Sequence, residues 1–353
     1  EDDRLLGFDT QDFEVLKQSY EELFPYEPIF FLDEIQNVPN WEKFARRLAD
    51  QKYKVYITGS NAKMLSGEIA TTLGGRFFMH NIYPYSFKEY LNASNIAIPD
   101  NLDYQNNSEI IRTFAQYFTF GGMPELHDVP PIEKRLWLSS LYNKIFFGDL
   151  ISRYSIRNDM ALKVLVRKLA DSVKQPTSFN RMANVVSSTG QKIKTDTVIE
   201  YLKYLEETWL IFSIENISSK LNDKVSNKKY YFIDNGILNL FLTDGNTSLF
   251  ENMLAIHLRH HYAHELFYYL KDVEVDFYLY DSQIAIQACY NMSDISTRNR
   301  EVGDLIKFAK VFPCKKLYIV TNDEEYEMEE SGFKISVVPL WKFLILDCLK
   351  TKV

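Results

Sequence analysis

Residues 29–36 read Ile-Phe-Phe-Leu-Asp-Glu-Ile-Gln: four apolar residues, two adjacent carboxylates (Asp33 and Glu34), then the start of an amphipathic helix. A short apolar run bounded by Pro28 and by charge predicts a buried parallel strand, and open α/β sheets place their chemistry at the carboxyl edge of such strands. Two acids at that edge suit a metal ligand beside a base that activates water. A buried strand ending in solvated acids would read the same way, so the neighbouring segments decide.

Those neighbours predict a strand, helix, strand unit. After Asn37-Val38-Pro39 comes a helix of about a dozen residues with Trp41, Phe44, Ala45 and Leu48 on one face. A second strand runs from Tyr53 to Thr58 and ends in Gly59-Ser60-Asn61; the spacing suits a parallel crossover, which delivers both strand ends to one crevice. Ser60 and Asn61 there either hydrogen-bond a phosphate or its attacking water, or cap a turn. Upstream, Phe13, Leu16, Tyr20 and Leu23 recur at helical spacing. Downstream, Leu73-Gly74-Gly75-Arg76 precedes a third strand-like run, Phe77 to Tyr83, and a short helix from Ser86 to Leu91 follows Pro84.

In this order the segments resemble one family of prokaryotic AAA+ ATPases: a strand ending in Leu-Asp-Glu-Ile-Gln, a Trp-bearing helix, a strand ending in Thr-Gly-Ser-Asn, then Leu-Gly-Gly-Arg and Tyr-Pro-Tyr-Ser-Phe-Lys-Glu-Tyr. The resemblance implies a Walker B strand with ATP and Mg²⁺ as ligands. Asp33 would coordinate the metal, Glu34 would be the catalytic base, and Ser60 or Asn61 the first sensor. Arg76 would be an arginine finger or γ-phosphate sensor, since an Arg in that role neutralises developing charge. The family's P-loop, G-x-x-x-x-G-K-[ST], has no match in this sequence, Gly190-Gln191-Lys192 included. Residues 1–10 look like the family's second-strand region, so the first strand and phosphate loop are expected N-terminal to this chain. Without that cradle of N–H groups and Lys, the expectation is that the chain as given neither binds nor hydrolyses ATP appreciably, whereas the complete gene product does.

Composition bounds the remainder. The 353 residues are enough for two or three domains, and 46% hydrophobic with 25% charged is globular. A net charge of −8 from 40 basic and 48 acidic side chains argues against a mainly electrostatic nucleic-acid binder. Cys289, Cys314 and Cys348 form neither a disulfide framework nor a zinc pattern, which fits a reducing cytoplasm, and no apolar run reaches the length of a membrane span.

Residues 92–106 read as an exposed connector, and 109–153 as mostly helical, broken at Gly121-Gly122-Met123-Pro124, a turn that also resembles the family; this region is expected to be the helical lid. Arg153 and Arg157 read as helix-surface charges. Over 161–210, Leu162, Leu165 and Leu169 mark one helix, Ser178 caps a second, and Thr195-Asp196 caps a third with Val198, Tyr201, Leu202, Leu205 and Trp209 inward. A polar hairpin to Ile233 completes a winged-helix pattern, and Thr-Val-x-x-Tyr-Leu-x-x-Leu-Glu at 197–206 resembles the family's own. Lys192, Lys194 and Lys203, with wing residues Lys220, Lys224, Lys228 and Lys229, could meet DNA phosphates. Glu200, Glu206 and Glu207 oppose that docking, so protein contact or packing ranks ahead of it.

From residue 236 the order of helix, strands, helix and strands resembles the restriction-endonuclease-like fold. Glu251 and Asp276 stand at positions where active members hold Mg²⁺, but Gln287-Ala288-Cys289 replaces their Glu-x-Lys pair. The expectation is a degenerate nuclease domain whose two acids are solvated or structural. His257, His260, His261 and His264 fall at helical spacing without an H-E-x-x-H pattern and read as a partly exposed helix face.

The fold expected is therefore α/β: an AAA+ P-loop NTPase core lacking its first strand (1–92), a helical lid (93–160), a winged helix (161–235) and a nuclease-like domain (236–353). The function expected is ATP binding and hydrolysis in the complete protein, on an unknown substrate. The alternatives are a DNA-binding or DNA-processing module with a regulatory ATPase part, and a protein-interaction scaffold with a vestigial nucleotide site. DNA, a protein partner and further copies of the chain are the candidate partners; a membrane is not.

Overall fold

A computed structural model describes residues 7–59, 71–99, 102, 107–218 and 227–346. The chain divides into two compact units, Glu1–Ile82 with Glu207–Trp209, and Tyr83–Glu206 with Leu210–Val353.

In the smaller unit, helix α1 (Thr10–Leu23) starts at a capping box in which Asp9 and Asp12 each accept from the other's backbone N–H. Its apolar stripe is not buried as the spacing predicts. Leu23 is 74% exposed, whereas Phe13 stacks on Phe44 with ring centroids 4.6 Å apart. Strand β1 (Ile29–Leu32) pairs in parallel with β2 (Lys54–Ile57), Leu32 opposite Ile57. Between them helix α2 (Trp41–Asp50) buries Trp41, Phe44, Ala45 and Leu48, the face read from the sequence, on a small core with Ile35 and Leu73.

Two expectations fail here. Strand β1 is parallel but not buried: α2 covers its Phe30 side, while Phe31 (73% exposed) and Tyr56 (55%) stack on one another on the open face. Residues 77–83 are not a strand: they join neither sheet found among the described residues. Phe78 is left 95% exposed.

The larger unit begins with helix α3 (Phe87–Ala93). Ser86 and Glu89 form its capping box, which gives the Tyr-Ser-Phe-Lys-Glu-Tyr motif a local explanation. Helices α4 (Ser108–Phe120) and α5 (Pro131–Asn143), a wide π-type turn (Lys144–Ser152) and α6 (Asp159–Asp171) follow. Next come β3 (Thr177–Ser178), α7 (Phe179–Ser188), α8 (Thr195–Glu207), β4 (Ile211–Asn216), β5 (Asn227–Phe232) and the short α9 (Asn235–Asn239). Leu162, Leu165 and Leu169 on α6, and Val198, Tyr201, Leu202 and Leu205 on α8, are buried as their periodicity predicts. Trp209 instead lies beyond α8 with φ 55° and is only half-buried.

The chain continues through α10 (Asn246–Tyr262), β6 (Leu266–Leu270), β7 (Glu274–Leu279), β8 (Ile284–Ala288), α11 (Ile295–Ala309), β9 (Lys316–Thr321), β10 (Tyr326–Glu330), β11 (Phe333–Pro339) and α12 (Leu340–Ile345). Among the described residues the strands of the larger unit form one sheet ordered β10-β11-β9-β8-β7-β6-β4-β5-β3, separate from the β1–β2 pair. The β4–β5 hairpin enters that sheet through a short parallel pairing of β4 with β6, Glu215 opposite Phe267. One apolar core accordingly runs from Phe87 through Leu162, Leu202 and Tyr231 to Trp341, and a second gathers Val275, Leu305, Ile319 and Val337.

Asp234 ties the helices to this sheet. Its Oδ1 accepts from the Gly236 and Ile237 N–H groups at 2.8 and 3.2 Å, and its Oδ2 from Gly122 N–H at 2.8 Å. The amides of Asn235 and Asn239 donate to the Phe118 and Thr119 carbonyls, both at 3.0 Å, satisfying groups that the end of α4 leaves orphaned. Gly121 takes φ +78°, and a Cβ there would lie 2.1 Å from the Asp234 carboxylate, so the Gly-Gly turn is required by this close approach. Burial pushes the Asp234 carboxyl up to about 6, with its three backbone donors pulling the other way. Asp234→Ala strips three buried donors of their acceptor and is expected to destabilise the protein by about 2–4 kcal/mol. A denaturant midpoint unchanged from wild type would contradict this.

Candidate functional site

The strand pairing continues just past β1 and β2. Thr58 N–H donates to Leu32 O at 2.9 Å and Ile35 N–H to Thr58 O at 3.4 Å, so Asp33 and Thr58 emerge side by side from adjacent parallel strands. The Thr58 hydroxyl donates to the Asp33 carboxylate and accepts from Glu34 N–H at 3.3 Å. Glu34 has φ 49° and ψ 38°, a left-handed conformation that costs a non-glycine residue on the order of 1 kcal/mol. That twist sends Ile35 into the core while Asp33 stays exposed, and the Glu34 carboxylate accepts from the Gln36 side-chain amide. The result is a carboxylate and a hydroxyl joined at one strand edge, oxygen ligands of the kind hard cations prefer, with the Glu34 carboxylate next in the chain and engaged by Gln36.

Ser60 and Asn61 lie outside the described residues. Thr58 was not singled out in the sequence, although the parallel register that sets Leu32 opposite Ile57 makes it the hydroxyl facing Asp33. The structure does not bring Arg76 to this edge. Its guanidinium pairs with Asp50 at 2.9 Å, at the last residue of the 10-residue helix α2, whose first residue, Trp41, packs with Ile35. At 1.5 Å per residue the two ends of that helix are about 15 Å apart.

A second constellation lies in the larger unit. Glu251 on α10 and Asp276 on β7 are buried, not solvated, and meet around the fully buried ammonium of Lys229 on β5. Lys229 Nζ is 3.2 Å from Glu251 Oε1, 2.9 Å from Asp276 Oδ1 and 3.1 Å from Glu274 Oε1. Tyr231 OH donates to Glu251 Oε1 at 2.8 Å, and the Tyr268 ring centroid lies 5.7 Å from the ammonium. Gln287, opposite Asp276, bridges backbone groups: it accepts from Asp276 N–H and donates to Glu274 O, both at 2.9 Å. Burial alone would drive Lys229 toward neutrality, but the surrounding carboxylates outweigh it and hold the ammonium protonated. Burial pushes the Glu251 carboxyl up to about 7 against the pull of Lys229.

Lys229 is thus withdrawn from the solvent-facing wing expected of it, and Lys228 pairs with Glu215 at 3.3 Å. Lys220 and Lys224 lie outside the described residues. Lys229 and Tyr231 carry a faint signal in the sequence, a basic and a phenolic residue on one face of a strand otherwise rich in aromatics. His260 stacks on Tyr83 at 4.3 Å, burial pulling it down to about 4, His257 meets His261 with ring centroids 5.0 Å apart, and His264 falls beyond α10. Among the described residues, no three or more His, Cys, Asp or Glu are grouped to hold a metal ion, and no helix is long and apolar enough to cross a membrane.

Residues 1–91, which carry the parallel strand pair with its acids and hydroxyl at the carboxyl edge, match the family model described as an AAA domain. Residues 111–248 match a domain of unknown function, DUF8612. The chain is 34% identical over 328 residues to the uncharacterized protein MJ1544 of Methanocaldococcus jannaschii, covering 89% of this chain and 74% of that protein. It is 31% identical over 231 residues to an uncharacterized protein of Haemophilus influenzae, covering 65% of this chain and 56% of that relative's length.

Proposed function

We propose that the whole protein is a Mg²⁺-dependent ATPase and that residues 29–58 supply the metal and water side of its site. The observation that supports this most is the meeting of Asp33, Glu34 and Thr58 at one parallel strand edge in a segment that matches the AAA domain family. Asp33 and the Thr58 hydroxyl would hold Mg²⁺, and Glu34 would take the proton of the attacking water. The ion would supply neutralisation of phosphate charge. Ser60 or Asn61 remains the proposed sensor. Arg76, held by Asp50 at the far end of α2, is assigned to the site of a neighbouring copy as an arginine finger, in place of its own γ-phosphate. The sequence contains no G-x-x-x-x-G-K-[ST], so the 353-residue chain by itself is expected to show no micromolar binding of labelled ATP. In the whole protein, Asp33→Asn should abolish Mg²⁺-dependent hydrolysis and leave the far-UV spectrum unchanged. Retained hydrolysis would overturn the assignment.

A DNA-binding reading takes its support from topology. The order of helices α6, α7 and α8 with antiparallel strands β3-β5-β4 supports a winged-helix reading, and Lys192, Lys194 and Lys203 are exposed. It is weakened by the burial of Lys229, and Glu200 shares the exposed surface. The order α10, β6, β7, β8, α11, β9 supports the nuclease-like reading of 236–353, in degenerate form, with Gln287 bridging backbone where a carboxylate ligand would stand. Duplex binding that weakens steeply with salt would promote the DNA reading.

A further inference from the structure

We infer that the Lys229 ammonium is the built-in cation of the Glu251, Glu274 and Asp276 cluster, standing where a divalent ion would otherwise be needed and fastening the β4–β5 hairpin to α10 and β7. Three elements meet at one atom, because the three carboxylates come from α10 and β7 and the ammonium from β5. Carboxylate oxygens converging within about 3 Å of a point repel one another unless a cation sits there, and a buried lysine is equally costly without counter-ions. Each requirement is met by the other.

Other polar groups at the cluster are engaged as well. Asp276 Oδ2 accepts from Ala288 N–H at 2.9 Å, Glu251 Oε1 is shared between Lys229 and Tyr231, and both ends of the Gln287 amide are bound to backbone. Of the three carboxylates, that of Glu274 is the most open to water, its side chain 44% exposed against 13% for Asp276 and 6% for Glu251. A metal ion entering such a site must displace an ammonium that has nowhere solvated to go. The cluster is therefore a structural fastening, independent of the nucleotide chemistry proposed for the smaller unit.

Terbium luminescence tests this, since Tyr231 and Tyr268 stand close enough to sensitise an ion bound in the cluster. Wild type and Glu251→Gln should give the same tyrosine-sensitised emission, both reflecting surface acids alone. Lys229→Met, which fills the volume without the charge, should gain emission, and Lys229→Met/Glu251→Gln should lose that gain. Wild-type emission that drops on Glu251→Gln would overturn the inference, as would Mn²⁺-dependent nicking of supercoiled DNA that the same substitution abolishes. A folded Lys229→Met protein with no added emission would also overturn it. Should Lys229→Met fail to fold with or without Mn²⁺, the comparison of wild type with Glu251→Gln decides alone.

Discussion

Glu34→Gln in the whole protein is expected to lower kcat for Mg²⁺-ATP hydrolysis by about 10²–10⁴-fold, the usual contribution of a positioned general base, while ATP is still bound. The substitution is close to isosteric. It retains an oxygen to accept from the Gln36 amide and leaves the backbone N–H of residue 34 on the Thr58 hydroxyl, so the left-handed turn at the end of β1 survives. What is lost is the ability to accept a proton from water. KM should therefore stay near its wild-type value while kcat collapses, a split that a general loss of folding would not give. Asp33→Asn should differ, because it removes charge from the proposed metal ligand and should also raise the Mg²⁺ concentration needed for binding. Unchanged turnover in Glu34→Gln would remove Glu34 from the role of base and leave Asp33 and Thr58 as a strand-end hydrogen bond.

The parts legible in the sequence are those in which one periodicity decides one element. Trp41, Phe44, Ala45 and Leu48 repeat at helical spacing and are the buried face of α2; the same holds for Val198, Tyr201, Leu202 and Leu205 on α8. The failures involve relations between elements. Phe31 and Phe78 are as apolar as any core residue, and nothing local says whether a partner covers them. Thr58 became visible only through register, which places it beside Asp33 although 25 positions separate them. The Lys229 cluster is only half legible: the sequence allows Glu251 and Asp276 to be solvated or structural and the structure makes them structural, but a charge cluster formed across three elements leaves no spacing that would bring Lys229 to them. Gly121-Gly122 was recognised as a turn, but its reason, the approach of Asp234 from a distant strand end, is tertiary.

That cluster also makes a prediction with a sign. Lys229→Met is expected to destabilise the protein by about 3–5 kcal/mol at neutral pH, the range found when one partner of a buried ion pair is removed. The loss should be smaller at pH 5 and larger at pH 8. Burial already holds the Glu251 carboxyl at about 7 against an ordinary 4.5, and Lys229 is the main group opposing that rise. Without the ammonium the folded-state value moves higher still. A carboxyl whose folded pKa lies above its unfolded one contributes stability that is fully present below the unfolded value and is lost as pH rises through the folded value. The groups facing Glu251 leave this sign unchanged: Asp276 and Glu274 on β7 repel its charge, and the Tyr231 phenol is itself pushed up by burial and stays neutral. Glu301 on α11, raised chiefly by burial and further by Asp276, adds to the same trend. Adding Glu251→Gln to Lys229→Met removes one of the stranded charges, and the double variant should recover part of the loss at pH 8 and little at pH 5. Denaturant midpoints for wild type, both single variants and the double variant at the two pH values complete the cycle. A deficit that shrinks toward alkaline pH would mean that the carboxylates do not depend on Lys229 for their charge.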